Sequence, residues 1–192
     1  MRNVLAAGIL LTLGCACLAG GGPASIRHYS VTPPAGERES PPAARRELRL
    51  RDARAAGHLR ERMARRTSAL TLEFLELHRW SEPPIAYVER ALARTLFEVG
   101  DFTRSEAHAA PSLDVELLAF ERVPGATPGL AGVRLVLVLR LTDAEGRSLL
   151  DRTVEQRIEH ADGSPEAEAR HLSLCLERAV SEAARAMDEA LP

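Results

Sequence analysis

The chain of 192 residues is long enough for one domain with a proper core and marginal for two. Hydrophobic residues make up 45% and charged residues 27%, as in an ordinary globular protein, and the formal net charge of -2 points to neither a nucleic-acid-binding protein nor an acidic scaffold. All 25 basic residues are arginine, a side chain that favours bidentate pairing with carboxylates or phosphates.

The N-terminus has the features of a signal peptide. Met1–Asn3 carries one positive charge, and Val4–Gly14 follows without any charge. This apolar run is shorter than the roughly 20 residues that a membrane-spanning helix needs. It therefore predicts a secretory signal peptide over residues 1–14.

The signal peptide ends in a motif of bacterial lipoproteins. Leu11–Cys15 places a small residue directly before a cysteine and after apolar residues, and this arrangement resembles a lipobox. The resemblance implies cleavage before Cys15 and attachment of diacylglycerol to its thiol, with further acylation by fatty acids such as palmitate. Two or three acyl chains would anchor the protein firmly, at about 0.8 kcal/mol for each buried methylene. Cys17 is a second candidate for the anchor.

The alternative is a plain secretory signal cut near Ala19 or Gly22. With Cys15 as the anchor, the next residue is Ala16 and not aspartate, which by the enterobacterial sorting rule predicts the periplasmic face of the outer membrane. Glycines and prolines then predict a lipid anchor and tether over residues 15–25 and a single α/β domain over residues 26–192.

The first half of the domain predicts strands followed by one helix. Residues 28–32 and the alternating residues 47–54 are typical of strands, as are residues 59–66 and 70–77. Ser81 is expected to cap a helix over residues 82–99, which Gly100 ends. Its apolar residues recur at helical spacing: Ile85, Val88, Leu92, Leu96 and Val99.

The second half repeats this order. Residues 113–123, 133–142 and 149–159 predict an antiparallel meander, and Ser164 followed by Pro165 predicts the start of a final helix. Cys175 is expected to be a small apolar residue on that helix. The fold class is therefore α+β, a two-layer sandwich of an antiparallel sheet with two helices packed on one face.

No motif of catalysis or of metal binding is present in the sequence. It holds no nucleophile elbow, phosphate-binding glycine loop or zinc-protease motif, and its six histidines are separated from one another and from the cysteines. We therefore expect a protein that is not an enzyme and has no metal or cofactor.

Arginines are concentrated in residues 45–66, which carry nine of them against Glu47, Asp52 and Glu61. One interpretation is contact with anionic headgroups or an acidic partner through Arg60, Arg62, Arg65 and Arg66. The other is a solvated strand face with local ion pairs. Nucleic acid is not expected as a partner of an exported protein.

His78–Pro84 forms a dense local signature that includes the single tryptophan, Trp80. One interpretation is structural, with Trp80 filling the corner between a strand and a helix. The other is an exposed recognition corner in which Arg79 and Trp80 contact a partner, because both residue types are enriched at binding hot spots.

The whole pattern resembles a known family. After the anchor cysteine come a strand with Tyr29, arginine-bearing strands, Arg-Trp-Ser-Glu-Pro-Pro at 79–84 and a helix ending in Gly-Asp-Phe at 100–102. Leu-x-Val-Glu-Leu-x-x-Phe-Glu at 113–121, a Leu-Thr-Asp-x-x-Gly hairpin and an alanine-rich final helix follow. This order is similar to that of the ABC-type transport auxiliary lipoproteins.

The resemblance implies a role in binding. Such lipoproteins accompany an inner-membrane ABC permease and ATPase and an MCE-domain lipid-binding protein. They are thought to dock the conduit that carries phospholipid or other hydrophobic molecules between the inner and outer membranes, and a homo-oligomeric ring or dimer would suit that role. The family provides no catalytic residues to carry over.

Two other functions remain open from the sequence. The chain could be an assembly or activator lipoprotein of another envelope machine, such as lipopolysaccharide export or cell-wall synthesis. An envelope hydrolase is the third hypothesis, and the absence of a nucleophile motif argues against it.

Overall fold

The computed structural model describes residues 25–32 and 45–191. Its elements in chain order are β1 (Arg27–Tyr29), β2 (Arg46–Leu50), β3 (Arg54–Ala55), β4 (Arg62–Arg66), β5 (Leu72–Trp80), α1 (Pro84–Ala93), a π-helical segment (Arg94–Val99), β6 (Phe102–Arg104), β7 (Ser112–Pro124), β8 (Ala131–Thr142), β9 (Ser148–His160) and α2 (Pro165–Ala190). All described strands belong to one mixed sheet, so the α+β class is confirmed.

Strands β7, β8 and β9 form the antiparallel meander that the sequence predicts. Ser112 pairs with Thr142 at one end of the β7–β8 ladder, and Pro124 pairs with Ala131 at the other. Strand β8 pairs along its full length with β9. The long apolar run of β8 therefore occupies the middle of this meander.

The opposite edge of β7 is paired with β2, β3 and β4 in succession, and all three run parallel to it. The sheet is therefore mixed, and the prediction of an antiparallel sheet is wrong for this edge. The chain between β4 and β7 returns through β5 and α1, and this crossover brings it back in its original direction. Two further parallel pairs lie farther out: β1 pairs with β5, and β6 pairs with β2. The sequence did not predict β6.

The core lies between the sheet and both helices. Alternate residues of β8, from Val133 to Leu141, share one hydrophobic cluster with Val88 and Leu92 of α1 and with the apolar stripe of α2. The predicted stripe residues of α2 are all buried: Leu172, Leu176, Val180, Ala183 and Met187. Cys175 is buried among them, as the sequence predicts.

Helix α1 begins two residues later than predicted and without a side-chain cap. The expected cap residue, Ser81, instead bonds through Oγ to the hydroxyl of Tyr87 at 2.9 Å. Pro84 opens the helix because it has no N–H group to satisfy. The π-helical segment ends before Gly100, where a Cβ atom would lie 2.6 Å from the carbonyl oxygen of Thr95.

Helix α2 begins where the sequence predicts. The hydroxyl of Ser164 accepts a hydrogen bond from the backbone N–H of Ala167 at 3.2 Å, and Pro165 occupies the first helical position. The helix contacts β8, β9 and β1 and thereby joins the meander to the first strand of the domain.

Candidate functional site

The start of β4 lies beside the end of β5 at the corner that leads into α1. Arg62 is in register with Arg79, and the backbone N–H of Trp80 donates to the carbonyl of Glu61 at 2.6 Å. The ladder is irregular between Arg62 and Ala64. This pairing brings arginines that are 17 to 19 positions apart in the sequence to one place.

An open cleft of about 390 Å³ lies at this corner. Arg60, Arg62 and Arg79 contribute three positive charges to its lining, and Glu61 contributes the one negative charge. Leu59 and Pro83 supply apolar walls. The cleft therefore combines guanidinium groups, which bind carboxylate or phosphate oxygens, with a small apolar surface. We call it the corner cleft.

Trp80 is a core residue and not part of an exposed recognition surface. Its side chain is 1% exposed, and its ring meets those of Phe120 and Tyr87 edge-on, with centroids 5.2 Å and 6.3 Å apart. The prediction that Trp80 contacts a partner directly is wrong for this reason. The alternative structural interpretation matches its position, because the indole joins β5, α1 and β7.

Arg65 and Arg66 lie outside the corner cleft, toward the other end of β4. Arg66 is engaged by Glu121, whose carboxylate is fully buried: Nε lies 2.7 Å from Oε1, and Nη2 lies 3.1 Å from Oε2. These hydrogen bonds raise the pKa of Arg66. Arg65 is exposed and faces Glu73 across the ladder. The predicted set of arginines is therefore split between two places.

The first strand of the domain is attached to β5 and to the start of α2. The hydroxyl of Tyr29 lies 2.9 Å from Nδ1 of His78 and donates to Glu166 at 3.3 Å, and Arg27 forms an exposed ion pair with Glu166. Burial and the nearby Glu166 carboxylate raise the pKa of Tyr29. The chain that follows the predicted anchor thus enters the domain on the outer edge of β5.

A second cleft, of about 640 Å³, lies between β2 and the loop that follows β6. Its charges are mixed, with three arginines and a histidine facing three carboxylates, and they belong to three separate parts of the chain. The charged residues are Arg49, Arg51, Asp52, Glu89, Arg104, Glu106 and His108. No local pattern in the sequence could have brought them together, because the pairing of β2 with β6 was not predictable from periodicity.

The described residues offer no arrangement for catalysis by a metal or a thiolate. Within residues 25–32 and 45–191, no three metal-ligating side chains converge on one point. Burial raises the pKa of the Cys175 thiol to about 12, which leaves it protonated. In the same part of the chain, no helix combines the length and apolar character that crossing a membrane would require. Cys15, Cys17 and the predicted signal peptide lie outside the described residues.

Comparison with known protein families identifies the family of this chain. The model of the ABC-type transport auxiliary lipoprotein component family matches residues 29–184, from the first strand to near the end of α2. The chain belongs to this family. The match to the auxiliary lipoprotein family includes the corner cleft, helix α1 and most of helix α2. No curated protein matches the chain significantly.

Solved structures share the fold of this family member. Protein XCC0632 from Xanthomonas campestris is 16% identical with a TM-score of 0.73, and the alignment covers 85% of this chain and 98% of that one. The hypothetical protein CT253 from Chlamydia trachomatis is 12% identical with a TM-score of 0.56, and the alignment covers 77% and 99% of the two chains. At these identities the likeness concerns the fold alone.

Proposed function

We propose that this auxiliary lipoprotein serves an ABC/MCE-type envelope transport system as a non-enzymatic docking component. It would help to move phospholipid or other hydrophobic molecules between the inner and outer membranes by holding the transport conduit. The observation that carries the proposal is the family match over residues 29–184, together with the corner cleft within the matched region.

The proposed anchor is Cys15, lipidated and inserted into the periplasmic face of the outer membrane. The domain would then be held near that membrane and meet a partner that extends from the inner membrane. The partner is the MCE-domain protein, itself associated with the ABC permease and ATPase. A homo-oligomer of the lipoprotein around the conduit is part of the same proposal.

The proposed contact surface is the corner cleft. Arg60, Arg62 and Arg79 would pair with carboxylates of the partner, and Leu59 and Pro83 would contact apolar side chains beside them. Arg62 also lies over the ring of Phe74, 5.0 Å from its centroid, which orients its guanidinium. Trp80, which is buried, would not touch the partner.

A pull-down tests this proposal. Native protein with a C-terminal tag is captured from detergent-solubilised membranes, and co-purifying proteins are identified by mass spectrometry. We expect an MCE-domain protein and ABC subunits. Recovery of only a lipopolysaccharide-export pore or a cell-wall synthase would overturn the transport function and favour an assembly lipoprotein.

Charge reversal locates the contact. In the same pull-down, Arg60→Glu with Arg79→Glu should abolish recovery of the partner, whereas Arg185→Glu, an exposed arginine on α2, should leave it unchanged. Equal recovery with both variants would exclude the corner cleft as the contact surface, while the family-level function would stand. Circular dichroism spectra of the variants control for folding.

A further inference from the structure

The direction of β1 shows which way Ser25 and Ile26 lead away from Arg27. Strand β1 is parallel to β5, with Arg27 beside His78 and Tyr29 beside Trp80. Strand β5 starts at the β4–β5 hairpin and β1 pairs with its last three residues, so Ser25 and Ile26 lie on the hairpin side of this pairing. The ten Cα–Cα steps from Cys15 to Ser25 span at most about 35 Å.

The same end of the sheet carries three loops. Residues 67–71 join β4 to β5, residues 125–130 join β7 to β8, and residues 161–164 join β9 to α2. Because β4 and β7 are parallel and β9 returns antiparallel to β8, all three loops lie at one end. We call this the tether-side end. The β8–β9 turn, residues 143–147, lies at the opposite end.

The two ends differ in charge. The loops at 67–71 and 125–130 carry no charged residue, and the loop at 161–164 carries only Asp162, whose carboxylate accepts a hydrogen bond from the backbone of Ser164 at 2.9 Å. The opposite turn reads Asp-Ala-Glu-Gly-Arg, with three charges in five residues. The 67–71 loop at the tether-side end can therefore leave water at a small electrostatic cost.

Leu70 projects from the tether-side end. Its side chain is 97% exposed, whereas the next most exposed large apolar residue of the described chain, Ile26 beside the tether, is 47% exposed. Hydrogen bonds within the tip satisfy several of its backbone N–H groups. The N–H of Leu70 donates to Oγ of Ser68 at 3.2 Å, the N–H of Thr67 donates to the carbonyl of Thr71 at 3.0 Å, and the N–H of Thr71 donates to the carbonyl of Ser68 at 3.4 Å. A tip of this kind can enter an apolar medium with few unpaired donors.

We propose that the β4–β5 hairpin tip inserts Leu70 into the lipid bilayer that holds the protein's own anchor. The occupant is a lipid surface because Ser25 and Ile26 lead from Arg27 in the direction of this end and because the loops at 67–71 and 125–130 carry no charged residue. The contact fixes the domain on the membrane, with the corner cleft, at the other end of β5, directed away from it. This inference rests on the proposed lipidation of Cys15.

The test uses the full lipidated protein in vesicles of phosphatidylcholine and phosphatidylethanolamine. In a Cys17→Ser background, Ala69→Cys carries a nitroxide at the tip, and Ala144→Cys carries one in the opposite turn as a matched control; Cys175 is buried and stays unlabelled. Collisions with oxygen and with a water-soluble nickel complex report immersion in lipid. We expect a severalfold higher oxygen-to-nickel ratio at Ala69 than at Ala144, reduced to the Ala144 value by Leu70→Asp.

Each other outcome counts against the inference. A protein that floats with the vesicles but gives equal ratios at both labels is anchored without contact by the tip. A high ratio at Ala69 that survives Leu70→Asp excludes Leu70 as the inserted residue. A protein that does not float with the vesicles defeats the proposed lipid anchor, and the inference falls with it.

Discussion

Arg66 of β4 and Glu121 of β7 form a bidentate ion pair, with two hydrogen bonds, that joins two parallel neighbouring strands of the sheet. The Glu121 carboxylate has no exposed surface, whereas the Arg66 side chain is 26% exposed. Arg134 of β8 approaches the same carboxylate at 3.9 Å from the other side. Part of the arginine-rich segment thus neutralises a buried charge.

Removing the arginine from this pair should destabilise the fold strongly. Arg66→Ala leaves the buried Glu121 carboxylate with only the longer ion pair to Arg134, and we expect the free energy of unfolding to fall by about 3 kcal/mol. Arg65→Ala, one residue earlier and exposed, is the matched control and should change it by less than about 0.5 kcal/mol. Urea denaturation measures both, and equal midpoints for the two variants would contradict a structural role for the pair.

A second prediction follows from the position of Trp80 in the core. Trp80→Ala leaves a cavity between β5, α1 and β7, and we expect it to lower the free energy of unfolding by about 3–5 kcal/mol. Trp80→Phe keeps the aromatic contacts with Phe120 and Tyr87 and should cost much less. Since Trp80 is the single tryptophan, its fluorescence in the native protein should be blue-shifted and should move to the red on unfolding. A native spectrum like that of free tryptophan would contradict its burial.

The stacked pair of His160 and His171 should make stability depend on pH. The rings are 4.3 Å apart and nearly parallel, and burial lowers the pKa of His160, with Arg122 and His171 acting in the same direction against the carbonyl of Asp162. Because the pKa of His160 is lower in the folded state than its unfolded value of about 6.5, its contribution to stability is present above that unfolded value and is lost as the pH falls through the folded pKa.

We therefore expect the unfolding midpoint to fall between about pH 7 and pH 5 and the fall to be smaller in His160→Gln. The nearby Glu168 has a pKa raised by burial, so its effect has the opposite sign, with stability lost as the pH rises through its folded pKa. Unfolding midpoints measured in urea at several pH values distinguish the effect of His160 from that of Glu168. If the unfolding midpoint depends on pH identically in the wild type and in His160→Gln, His160 is excluded as the cause.

The predicted lipid anchor can be tested without the rest of the transport system. Cys15→Ser should abolish incorporation of radiolabelled palmitate and release the protein into the soluble fraction, because no acyl chain remains to insert in the membrane. Cys17→Ser should leave labelling and fractionation unchanged. The reverse result would move the anchor to Cys17, and labelling of neither wild type nor variants would favour the plain secretory signal.

Periodicity along the chain predicted most elements well. The alternation in residues 113–123 and the helical spacing of Leu172, Leu176 and Val180 both depend on one buried face, and both elements are present with that face buried. The breaks in the chain were also local, since Gly100 and Ser164 act through neighbouring backbone groups. The expected Ser81 cap failed because its hydroxyl bonds to those of Tyr87 and of Ser30, which lies 51 positions away in the sequence.

The sequence by itself determined the α+β class, the order of the elements, the family resemblance and the prediction of an anchor at Cys15. Only the tertiary structure decided that β2, β3 and β4 run parallel to β7, that Trp80 is buried, and that Arg79 meets Arg60 while Arg66 turns to Glu121. The reason is physical. A hydrophobic period reports which face of an element is buried, but its neighbour and direction are set by the crossover through α1 and by pairings between distant parts of the chain.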